Sequence, residues 1–154
     1  MAKIVLALIF ALCGLSAKPI MLYIDLDKVL DSVEFAEIVG NEVRFSFGSG
    51  SAENIYAGGV KTRASISKGT ETNNFKHSLS GKKYVFSEIE STCGFALLLN
   101  LADLRDDALE IGATKAVNII SYYTSSTTLD RRDKFQCIVS NSTIRVKLKA
   151  DFAR

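Results

Sequence analysis

Three separate stretches of this chain alternate apolar and polar residues one for one, and that periodicity commits them to strands with one buried and one wet face. Val43, Phe45 and Phe47 alternate with Glu42, Arg44 and Ser46, and Val60, Thr62, Ala64 and Ile66 alternate with Lys61, Arg63, Ser65 and Ser67. Ile144, Val146 and Leu148 alternate with Arg145, Lys147 and Lys149, so these three cations project from one face of one strand. Ile20 to Ile24 reads as a first strand, and Ala116 to Tyr123 is β-branched and aromatic enough for a well-buried one. Phe135 to Val139 and Thr143 to Leu148 form a closing pair around Ser140-Asn141-Ser142.

Helical periodicity is confined to two places. Phe95, Leu98, Ala102 and Leu109 lie near one stripe, widened by Leu101 and Ala108, with Ser91 or Thr92 as cap and Gly112 as stop. A shorter helix, capped by Asp25 or Asp27, carries Val29, Leu30, Val33 and Ile38 on one side and ends at Gly40-Asn41. Lys68 to Lys83 is polar and reads as a long surface loop, the segment expected to be most mobile, and Thr124 to Asp133 as a polar hairpin or loop. The expected architecture is a single α+β domain: a mostly antiparallel sheet, one long central helix, and a shorter helix packed on it.

The first seventeen residues read as an export signal. Lys3 gives the positive start, Ile4 to Leu12 the apolar run, and Gly14-Leu15-Ser16-Ala17 the small residues before Lys18-Pro19. Cleavage after Ala17 puts Leu15 at the minus-three position, whereas cleavage after Ser16 puts Gly14 there, so both sites stand. The run is shorter than the roughly twenty residues a membrane-crossing helix needs, and no other segment is long and apolar enough. Cys13 is acylated in a lipoprotein reading, but it follows Phe10-Ala11-Leu12, with leucine where such signals carry Gly, Ala or Ser. The expected organisation is a signal over 1–17 and one domain over 18–154, periplasmic or secreted.

Loss of the signal removes Cys13 and leaves Cys93 and Cys137, with 43 residues between them, in an oxidising compartment where an isolated pair most often forms a disulfide. The alternative is a reactive thiol at Cys93, because a helix N-terminus favours thiolate; no Cys-x-x-Cys accompanies it. The whole chain carries 19 Lys and Arg against 17 Asp and Glu, a balance that marks neither a nucleic-acid binder nor an acidic tail.

No complete catalytic or metal-binding set emerges, and no cofactor is implied. The single histidine, His77, falls in the polar loop, too isolated for a zinc site or a hydrolytic triad. Gly81-Lys82 resembles the end of a Walker A loop, but Lys76 and Lys83 stand where that loop needs glycine and a hydroxyl residue. Asp103, Asp106, Asp107 and Glu110 sit at helical spacing with Arg105 among them, as on a solvated face. Lys61, Arg63, Arg145, Lys147 and Lys149 are the candidate patch for an anionic envelope polymer, a lipid headgroup or an acidic partner; the alternative is an ordinary wet sheet face whose lysines discourage strand addition. Asn141-Ser142-Thr143 matches a glycosylation triplet, relevant only in a host that uses it.

Cys93, the helix to Ala108, Gly112-Ala113, Ala116 to Tyr123, Cys137 and the ending Leu148 to Arg154 together resemble a set of small exported bacterial proteins, many of which carry the label "excinuclease ATPase subunit". The likeness covers about the last sixty residues well and the first half only in outline, through the helix before the Val43 strand. The label does not suit a chain without a Walker loop or zinc-module cysteines. More distantly, a helix followed by Gly-Ala and an apolar strand is similar to the small α+β domain of the Rcs outer-membrane stress-sensor lipoprotein and of the YbjQ-type proteins. The resemblance implies a fold and a compartment and transfers no catalytic residue. The functional expectation is an exported, non-enzymatic binding domain of the cell envelope, connected with envelope maintenance or stress and stabilised by a disulfide. Its alternative is a thiol-redox or metal-handling protein using Cys93.

Overall fold

A computed structural model describes residues 18–154 apart from Thr72, so the expected export signal over 1–17, with Cys13, lies outside the described residues. The elements run β1 (Ile20–Asp25), α1 (Leu26–Leu30), α2 (Val33–Ile38), β2 (Arg44–Phe47), β3 (Ile55–Lys68), β4 (Phe75–Leu79), β5 (Lys82–Phe86), α3 (Ile89–Glu110), β6 (Lys115–Thr124), β7 (Thr127–Leu129), β8 (Lys134–Val139) and β9 (Thr143–Ala153). They form the expected α+β arrangement, a mostly antiparallel sheet carrying one long helix.

The last strand is the spine. One edge of β9 pairs with β3 along nearly its whole length, and its other edge is shared between β8 at the start and β6 towards the end. The main order is β1-β8-β9-β3-β4-β5, and β6 also pairs with β7 and, in parallel, with β2. The alternating residues of β9 explain its central place. Ile144, Val146, Leu148, Ala150 and Phe152 are all buried on the inner face, where α3 lies.

Helix α3 is more thoroughly enclosed than a single stripe requires. Every residue from Thr92 to Leu98 is buried, because the sheet covers one side of this stretch while α1 and α2 cover the other. Asn100 fixes the helix on the spine by donating from Nδ2 to the Val146 carbonyl at 3.0 Å and to Ala96 O at 2.9 Å. Towards its end the helix overhangs the core, and Leu109, expected on the buried stripe, is 46% exposed. Capping also differs from expectation. Glu88 is the N-cap, and Thr92 lies inside the first turn, where its Oγ1 donates to Glu88 O at 2.6 Å.

Two expectations are corrected. The short helix of residues 25–40 is two helices, because Ser32 interrupts it: its hydroxyl accepts from Phe35 N at 3.2 Å and donates to Val29 O at 2.6 Å, starting α2 afresh. The restart turns Val33 outward to 81% exposure. The loop expected over Lys68 to Lys83 contains the β4–β5 hairpin instead. Ser80 (φ +50°) and Gly81 (φ +79°) make its two-residue turn, and Phe75 pairs with Phe86 at its base. Phe75 is buried and Leu79, Tyr84 and Phe86 pack against the core, so the polar residues between them mark the wet face of a hairpin.

Candidate anion-binding face

Register across β3 and β9 brings the predicted cations together. Lys61 stands opposite Lys149, Arg63 opposite Lys147, and Ser65 opposite Arg145. Since Thr62, Ala64 and Ile66 on β3 and Ile144, Val146 and Leu148 on β9 are buried inward, all five cations share the outer face. Lys61, Arg63 and Lys149 are exposed, and Arg145 and Lys147 are half-buried. Among the described residues, none of the five has a carboxylate oxygen within 4.0 Å. Arg145 instead donates from Nε to Ser65 Oγ at 3.1 Å, and Lys147 from Nζ to Tyr123 O at 2.9 Å.

The hairpin adds two residues that the sequence placed in a loop. Lys76 pairs with Ser67 on β3 and Lys83 with Ser78 on β4, which continues the outer face across β4 and β5. Seven cations therefore line one side of the sheet. Their signal was present in the period-two spacing of Phe75, His77 and Leu79 around Ser80-Gly81, hidden because the intervening residues are so polar.

Aromatic rings accompany the charges. Lys147 Nζ lies 5.1 Å from the centre of the Tyr122 ring, and Lys61 Nζ lies 5.8 Å from the same ring. Beside Lys149 the face ends in a polar recess of about 240 Å³ bounded by Ser49, Asn118, Asp130 and Asp151. These groups are largely committed to one another. Asn118 donates to Asp151 at 2.9 Å and accepts from Ser51 N, and Asp151 accepts from Gly59 N at 2.8 Å. Asp130 accepts from the backbone and hydroxyl of Ser49, which holds its carboxyl below the usual aspartate range.

The cysteines form a disulfide between α3 and β8, with Cα atoms 5.9 Å apart. Both residues are completely buried. Their burial denies an exchanging thiol any approach to the sulfurs, which weighs against redox use of Cys93. His77 is on β4 rather than in a loop. It is half-buried, with its ring edge-on to Phe95 at 5.6 Å between centroids.

Asp103, Asp106, Asp107 and Glu110 lie on the solvated side of α3, as their spacing implies. Partial burial, followed by the charges of Asp107 and Asp106, raises the Asp103 carboxyl above its usual range. Arg105 does more than neutralise them, since its Nη1 donates to Ile38 O and Val39 O at 3.0 and 2.8 Å and so ties the end of α2 to α3. Among the described residues there is no group of three or more His, Cys, Asp or Glu side chains able to hold a metal ion. No helix among them is long and apolar enough to cross a membrane. No family model matches the chain, and no match was found among curated proteins or solved structures.

Proposed function

We propose that this chain is an exported, non-enzymatic binding domain whose outer sheet face holds an anionic polymer of the cell envelope. The observation that carries the reading is the opposition of Lys61 to Lys149 and of Arg63 to Lys147 on paired strands, with no carboxylate oxygen within 4.0 Å of any of the four among the described residues. Like charges directly opposite across a sheet cost stability, and an ordinary wet face would intersperse acids to relieve them. A polymer bearing regularly spaced phosphate or carboxylate groups would relieve that repulsion, and Tyr122 would offer a ring to its sugar or glycerol units. The disulfide suits an oxidising compartment outside the cytoplasm. A role in envelope maintenance or stress follows the resemblance set out above and belongs to the same proposal.

The test is retention of the purified protein on an immobilised polyanion, with heparin as the probe, over a range of salt concentrations. Retention should fall steeply with salt, as each released counterion contributes to the slope. Arg145→Glu with Lys147→Glu should lower the eluting salt concentration markedly, while Asp106→Lys with Asp107→Lys on the opposite side should not lower it. Equal retention of the first variant and the parent would refute the assignment of this face. Intact mass of the protein recovered from its native envelope or medium fraction, alkylated before and after reduction, tests export and the disulfide. An uncleaved product in the cytoplasm would overturn the compartment.

A further inference from the structure

On the side of the molecule away from the basic face, α1, α2 and the start of α3 enclose a groove of about 450 Å³. Its floor is apolar: Ile24 at the end of β1, Val29 of α1, Phe86 of β5, and Phe95 and Leu98 of α3. Phe95 is the hub of an aromatic cluster, with its ring centroid 4.9 Å from that of Phe86 and 4.5 Å from that of Tyr84. Position 94 in its lining is glycine, and a Cβ there would stand 3.3 Å from a Val29 methyl, so α1 and α3 approach each other closely beside the groove. Exposed Val33 and Ile89 immediately adjoin lining residues Ser32, Glu34, Glu88 and Glu90. A space of this size and composition falls in the range of small-molecule sites.

Charge states what kind of molecule would fill it. The rim carries Glu34, Glu88 and Glu90 against the single cation Lys28. Lys28 is engaged by Glu90 at 3.0 Å and by Asp25 at 3.9 Å, whereas Glu34 and Glu88 have no cationic partner within 4.0 Å among the described residues. The surroundings reinforce the sign. Residues 25–42 and 88–110, which build this layer, hold twelve Asp and Glu against Lys28 and Arg105 alone. An anionic or neutral apolar ligand would gain nothing from that field, but an apolar body bearing a positive group would bury its chain on the aromatic floor and leave its charge between the free carboxylates.

We infer that this groove binds a small cationic amphiphile, an apolar chain or ring carrying an ammonium group. The site is independent of the proposed polyanion face: the two share only β5, which turns Lys83 to the outer face and Phe86 into the groove, so either can fail without the other.

The experiment compares three probes with the same ten-carbon chain, decyltrimethylammonium and decyl sulfate below their micelle concentrations and decanol below its solubility limit. Binding is followed by calorimetry and by thermal unfolding, since a ligand of the native state raises Tm and a denaturing detergent lowers it. Decyltrimethylammonium should bind at one site and raise Tm, with decanol weaker by about tenfold, the loss of one Coulombic attraction between the trimethylammonium and a partly exposed carboxylate. Ser91→Trp should abolish this binding by filling the groove from an exposed position. Glu34→Gln with Glu88→Gln, two exposed replacements that leave the packing intact, should bring decyltrimethylammonium down to the level of decanol. Decyl sulfate should bind the groove more weakly than decanol in the parent and approach decanol in the glutamine variant, where the repelling carboxylates are gone. No binding of the cationic probe, equal binding of cationic and neutral probes, or unchanged binding by either variant would overturn the inference.

Discussion

Lys61 and Lys149 stand directly opposite one another on β3 and β9, two ammonium groups in cross-strand register with no carboxylate within 4.0 Å of either among the described residues. A sheet selected for stability alone would place an acid at one of these positions. We expect Lys149→Glu to stabilise the fold by roughly 0.5 kcal/mol in low salt through an opposite-charge pair, while weakening retention on heparin. Thermal melts at low and high ionic strength check the first part, because the gain should fade as salt screens it. A variant that loses both stability and retention would count against electrostatic frustration on this face.

The disulfide closes a loop across a sequence separation of 44 residues, for which chain-entropy reasoning gives about 4 kcal/mol of stabilisation. Replacing both cysteines by alanine should cost about 2–4 kcal/mol in urea unfolding without altering retention on the polyanion. Lost binding at temperatures where the variant remains folded would revive a direct role for Cys93.

Asp103 makes a testable pH case. Its folded-state pKa is raised, first by burial and then by Asp107 and Asp106, so its ionisation opposes folding above that pKa and this cost disappears once pH falls below the unfolded-state value. Asp103→Asn should therefore raise Tm at neutral pH, with the gain shrinking towards zero as the medium is acidified. Asp25, Asp130 and Asp133 run the other way. Hydrogen bonds from Lys134, Ser49 and Arg131 respectively depress their pKa values. Their contribution is present above the unfolded pKa and is lost as pH falls through the folded one.

Asn118 sits in the middle of β6 with a left-handed backbone (φ +51°), at the irregularity where pairing with β9 skips between Val117 and Ile120. Its amide bridges Ser51 and Asp151, which holds this conformation in place. Asn118→Ala should lose those bonds and also strain the backbone, costing about 1–3 kcal/mol. Asn118→Gly loses the same bonds but accepts the positive φ, so it should be the milder change in side-by-side urea melts.

How much of this was legible beforehand depended on whether the deciding physics was local. The alternation in β3 and β9 and the stripe around Phe95 and Leu98 announced their elements because burial on one face writes itself into the sequence at period 2 or 3.6. The shared face of Arg145, Lys147 and Lys149 followed from the same rule. The cross-strand opposition of Arg63 to Lys147 did not, since register is fixed by partners far apart in the chain. The break at Ser32 is masked in the sequence by the helical spacing of Val29, Leu30 and Val33 on either side of it. The β4–β5 hairpin escaped because its outer face, Lys76, Ser78 and Lys83, made the segment look uniformly solvated. The groove could not be read at all: Ile24, Phe86 and Phe95 meet only after the sheet has folded around α3.

The near balance of positive and negative residues conceals an uneven distribution, with seven of the 19 cations on the outer sheet face and twelve of the 17 acids in residues 25–42 and 88–110, where Lys28 and Arg105 are the only cations. Such a molecule is a dipole more than an ion. It feels little net pull at a distance, and only within about 10 Å, the screening length at 0.1 M salt, does a nearby charged surface exert an appreciable torque on it. Turned sheet-inward by an anionic layer, it would present its helices outward every time, so adsorption would also set orientation, and every adsorbed copy would hold its groove open to the surrounding fluid.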